Sequence, residues 1–144
     1  MTPETGLPAI VMVHMTAAIA ATALGPFVMW ARLGARLRPN LHRSAGYVWV
    51  ALMVATAISA IFVRSTLAIS WADFSPIHLF VPFVFFNLAV AFRALFKGRI
   101  ATHRRHMVYT YVGACLVAGL FTLVPGRYLG DLLWGALSMR GVAN

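Results

Sequence analysis

Four runs of apolar and small residues, separated by short polar stretches, set the plan of this chain. After a polar lead over residues 1–6, Leu7 to Ala31 is apolar or small apart from His14, Thr16 and Thr22. As a helix these 25 residues would extend about 37 Å, enough to cross a hydrocarbon layer with some tilt. Trp30 falls at its headgroup end, where aromatic belts form. Arg32 to Pro39 is a basic connection, and Asn40 is a candidate N-cap for the second run, Ser44 to Val63, which Arg64 closes. Residues 65–75, with Trp71 and Asp73, read as an interfacial loop. Ser75-Pro76, a cap followed by proline at the first helical position, opens the third run, Ile77 to Phe96. Pro82 predicts a kink there, Asn87 is a polar group near mid-depth, and Gly98 fits a C-cap. Thr102 caps the fourth run, Met107 to Val124, which Pro125-Gly126 stops. The tail, residues 127–144, is too short and too charged to cross, and reads as an interfacial helix or a plug against the bundle. No repeat at a fixed period is visible. The expected fold is all-α: one integral membrane domain over residues 1–144, a four-helix up-down-up-down transmembrane bundle with a short C-terminal interfacial helix.

Composition agrees. The chain is 61% hydrophobic and 10% charged, whereas soluble domains carry about 25% charged residues. With a mean hydropathy of +0.82, a soluble fold of 144 residues could not hide its apolar surface. The net charge of +9 raises nucleic acid as a partner, but its placement excludes that class. Nine basic residues sit in two connections (Arg32, Arg36, Arg38 and Arg43; Arg93, Lys97, Arg99, Arg104 and Arg105), while the acids Glu4, Asp73 and Asp131 lie elsewhere. The positive-inside bias produces this pattern. It puts loops 32–43 and 93–105 in the cytoplasm and both termini outside, in a bacterial inner membrane, with anionic lipid headgroups as the polyanion. The N-terminus lacks the basic region of a cleaved signal, so the first span is expected to be retained. The single cysteine, Cys115, lies in an apolar run and reads as a small core residue.

The histidines then sort by level. His14 and His78 lie near the outer starts of the first and third runs; His42, His103 and His106 lie near the inner starts of the second and fourth. Each set joins runs that are diagonal in an up-down-up-down bundle, the arrangement that a haem held by two imidazoles requires. The two levels are about 20–25 Å apart at helical rise. Small residues share the histidine faces: Ala18, Ala21 and Gly25 with His14, Gly46 with His42, and Gly113 with His106. They would leave room for a flat macrocycle, although helix–helix contacts in membranes use the same residues. Arg43, Arg104 and Arg105 are candidate partners for haem propionates, and topology alone also explains them. His42, His103 and His106 are, alternatively, a three-imidazole set for copper or zinc. Catalysis by carboxylates or a Ser-His-Asp set is excluded within the spans, because no acid lies there.

Leu41-His42-Arg43-Ser44-Ala45-Gly46-Tyr47-Val48-Trp49-Val50, Phe74-Ser75-Pro76-Ile77-His78-Leu79, His103-Arg104-Arg105-His106-Met107 and Gly119-Leu120-Phe121-Thr122-Leu123-Val124-Pro125-Gly126-Arg127 together resemble the small predicted membrane proteins catalogued as domain of unknown function 2306. The resemblance runs from His14 to about Gly135. It implies a four-span bacterial inner-membrane protein with motif histidines at His14, His42, His78 and His103. His106 departs from that pattern, which returns weight to His103 as the inner ligand. By analogy with small b-type cytochromes, the expectation is an electron carrier with one or two b haems that exchanges electrons with quinone or a larger membrane complex. The alternative is a non-enzymatic membrane subunit or assembly factor, handling copper through its inner histidines or binding nothing.

Overall fold

The computed structural model describes residues 8–32, 38–63, 79–126 and 128–142, with side chains through Ser138. Every regular element among them is helical. α1 is Ala9–Trp30, α2 Pro39–Phe62, α3 Phe80–Phe96 and α4 Ile100–Thr110. α4 passes without a break into a π-helical stretch, Tyr111–Val117, and then α5, Ala118–Phe121. A turn with Gly126 at φ +87° leads to α6, Tyr128–Val142. α1 packs along α2 and α3 along α4; α2 lies against α3, and the π-helical stretch returns to α1 and α3. α1 and α2, at 22 and 24 residues, are long and apolar enough to cross a membrane, and less than a quarter of each one's most apolar window is buried. Apolar helices with so little cover suit a lipid solvent.

Several boundaries differ from the sequence expectation, for identifiable reasons. α2 begins at Pro39 and α4 at Ile100, so Asn40 and Thr102 lie inside the first turns, and neither helix has a side-chain cap. The exposed Arg43, Arg104 and Arg105 ride on these extended helix ends. Long basic side chains keep their stems along the helix and their heads in water, so polarity here does not end the helix. Pro82 is the third residue of α3, where its missing N–H would have had no helical partner, so it costs no hydrogen bond. Gly98, at φ +69°, gives its N–H to Leu95 O just beyond α3, as its type predicts. The helical run ends at Phe121, short of Val124. The Ser75-Pro76 start, the 64–75 loop and the polar lead lie outside the described residues.

The internal proline with consequences is Pro26 of α1. Lacking an N–H, it cannot bond the Thr22 carbonyl, and that carbonyl instead accepts the Tyr111 hydroxyl at 3.3 Å. One residue earlier, Ala21 O accepts the buried Trp49 indole N–H at 2.9 Å. Ala21, Val28, Trp49, Met53, Ala57, Val84, Leu88 and Cys115 form the core around these bonds, with Cys115 Sγ 3.6 Å from Met53 Sδ. Tyr111→Phe should lower stability by about 1 kcal/mol, because it leaves the Thr22 carbonyl without a donor. Unfolding in mixed micelles measures this.

Candidate cofactor site: anchored imidazoles

The two basic connections turn out to be built alike. His42 is the fourth residue of α2 and His103 the fourth of α4, each following an arginine at the N-cap position, Arg38 or Arg99. The His42 and His103 backbone N–H groups bond Arg38 O and Arg99 O at 3.0 and 3.1 Å. Each imidazole then reaches back to the preceding helix of its hairpin. His42 Nδ1 lies 2.9 Å from Val28 O, and His103 Nδ1 lies 3.0 Å from Ala91 O. Val28 O belongs to the last turn of α1, where the Arg32 N–H turns to Met29 O, so His42 serves a carbonyl that the helix end leaves open.

His106 adds a second rung one turn deeper. Its Nδ1 meets Oδ1 of the buried Asn87 at 2.8 Å, and Asn87 Nδ2 donates to Phe83 O, which orients the amide. The ring meets Tyr109 edge to face at 5.9 Å. At the far end of α1, His14 Nδ1 lies 3.0 Å from Thr56 O and 3.1 Å from Ser59 Oγ, both on α2. His78, its expected partner, lies outside the described residues.

These contacts decide the tautomers. A carbonyl oxygen only accepts, so His14, His42, His103 and His106 each donate a proton from Nδ1, which leaves Nε2 as the ring nitrogen turned away from that contact. Metal-bound histidines are held in this way, with the far nitrogen anchored on a carbonyl and the near one bare. All four rings are half-buried, and among the described residues no buried side-chain nitrogen lacks a partner. Each Nε2 without a protein partner therefore opens onto the molecular surface rather than into packed protein.

Not every small residue on the histidine faces leaves room. A Cβ on Gly25 would fall inside the Tyr111 ring and 3.3 Å from Trp49 Nε1, and one on Gly113 would fall inside the Phe83 ring. The space at these mid-depth positions is taken by aromatic packing, because flat rings fill the recess that a missing side chain leaves. Gly46, one turn from His42, is different: a Cβ there would meet nothing nearer than Val28 at 3.9 Å. A methyl group would fit there in ordinary contact with α1. Among the described residues no three histidine, cysteine, aspartate or glutamate side chains gather as a metal group, so His42, His103 and His106 do not form the three-imidazole set. Arg38 lies over the exposed Trp30 ring, 5.9 Å from its centroid, an anchoring pair at the headgroup end of α1.

The sequence did not point to Ser59 or to Asn87 as partners of histidines. For Asn87 a signal existed, a lone amide in an apolar run. For Ser59 none did, since serine is common wherever membrane helices touch.

Long apolar helices with little cover and a few polar ties between them define a helical membrane protein. Residues 11–125 match the family described as predicted membrane protein DUF2306, and the chain belongs to it. No curated protein and no solved structure matches the chain. α6 lies beyond the matched residues.

Proposed function

We propose that this protein is a four-span, up-down-up-down bundle of the bacterial inner membrane that carries electrons on one or two b haems. The basic loops face the cytoplasm, both termini face outside, and α6 lies in the outer interface. The partner is a quinone or a larger membrane complex. The observation that carries this reading is the shared state of the imidazoles: Nδ1–H is fixed on a neighbouring helix, and among the described residues no hydrogen-bond partner meets Nε2. His42 and His103 would hold the inner haem, and His14 with His78 the outer one. Haem supplies one-electron chemistry when bound. The chain's part is to fix the ring planes through Val28, Ala91 and Thr56. The exposed Arg43, Arg104 and Arg105 stand at the inner end, where propionates would emerge.

Protein purified in detergent from haem-replete cells should show a Soret band and, on reduction, a sharp α-band. Colourless protein that also fails to take up added haemin would overturn the reading. The histidines would then be helix ties, and the chain a subunit or assembly factor.

A further inference from the structure

The electron-carrier reading leaves one anchored imidazole unused. His103 repeats the position and contact of His42, so the pair accounts for the inner level, and His106 stands one turn deeper with its own tie to Asn87. Asn87 is 3% exposed and spends both ends of its amide, one on Phe83 O and one on His106. The Thr110 hydroxyl, fully buried, closes on His106 O. These polar groups satisfy one another inside the bundle and fix the ring with Nδ1 on Asn87, so that Nε2 is the nitrogen left to meet a ligand. Tyr109, which walls one side of the ring, is half-exposed on the outer surface of α4. The site is therefore a half-buried imidazole with an exposed aromatic ring at its side, on the apolar surface where α4 meets α3.

We infer that His106 is the recognition residue for a lipid-soluble quinol, accepting a hydrogen bond from the quinol hydroxyl through Nε2, while the Tyr109 face lies beside the quinol ring. Asn87 is a positioning residue that holds the acceptor tautomer. The chemistry that selects this ligand is a hydroxyl donor on a flat apolar ring small enough to arrive through lipid. The inference rests on the electron-carrier reading and names that carrier's donor.

The test compares wild type, His106→Phe, His106→Gln and Asn87→Leu in proteoliposomes, with decylubiquinol and a short-tailed menaquinol as probes. Binding is read by quenching of tryptophan fluorescence, and haem reduction is followed separately with quinol and with dithionite. His106→Phe should keep the spectrum and the dithionite response of wild type and bind quinol about tenfold more weakly. Asn87→Leu should fall in the same direction, and His106→Gln, which keeps an acceptor, should recover most of the binding. Equal quinol affinity in wild type and His106→Phe overturns the inference, as does a wild type that binds neither probe. A protein without haem sinks the electron-carrier reading, while the fluorescence arm still decides whether His106 binds quinol.

Discussion

Gly25→Val is expected to destabilise the bundle strongly, with a loss of about 3–5 kcal/mol. The new side chain would overlap the Tyr111 ring and press on the Trp49 indole, so both must shift from the positions in which they donate. Displacing them would also break the donations to Thr22 O and Ala21 O, the two carbonyls beside the Pro26 interruption. The damage is therefore steric and polar at once, and in an apolar solvent the Thr22 carbonyl, which Pro26 leaves without a helical donor, cannot turn to water. Gly119→Ala is the control. A Cβ at that helical position meets nothing within 4 Å, so it should leave stability unchanged or raise it by a few tenths of a kcal/mol. Unfolding of both variants in mixed micelles, read by circular dichroism, checks the contrast. Equal behaviour of the two would mean that Tyr111 and Trp49 do not occupy the Gly25 recess.

The second large effect concerns His42, which is assigned two duties that substitutions can separate. His42→Ala removes the bare Nε2 and also the donor to Val28 O, so it should abolish the inner haem and cost about 1 kcal/mol of stability. His42→Gln should lose the haem equally, while its amide restores a donor to Val28 O and with it most of the stability. Haem per chain, from the pyridine haemochrome, and the unfolding midpoint are the two readouts. A histidine that only tied α2 to α1 would show the stability difference and no change in bound haem.

Much of this architecture was legible in the residues because lipid imposes a simple rule: long apolar runs become helices, and charged residues gather at their ends. The first three helices lie where the runs Leu7–Ala31, Ser44–Val63 and Ile77–Phe96 placed them, within the described residues. α2 and α4 begin two and three residues before the starts that caps at Asn40 and Thr102 predict, because the preceding residues continue the first turn without a side-chain cap. The likeness of the two inner connections was in the sequence as Arg38-Pro-Asn-Leu-His42-Arg43 and Arg99-Ile-Ala-Thr-His103-Arg104, but the dissimilar residues between hid it. The histidines were singled out from their levels alone. Their anchoring was not readable, because the acceptors are backbone carbonyls 12 to 42 positions away, and a carbonyl has no signature in sequence. Pro26 was passed over for a related reason: its effect depends on Tyr111 arriving from a π-helical turn 85 residues further on.

The idea that matters most is that His42 and His103 face one shared iron. Electron paramagnetic resonance of the oxidised, detergent-purified protein tests it directly, since two axial imidazoles give a low-spin ferric signal. The account predicts that signal in wild type and its loss, or conversion of the same component to high spin, in His42→Ala and in His103→Ala alike. An unchanged low-spin signal of full intensity in either variant would contradict it.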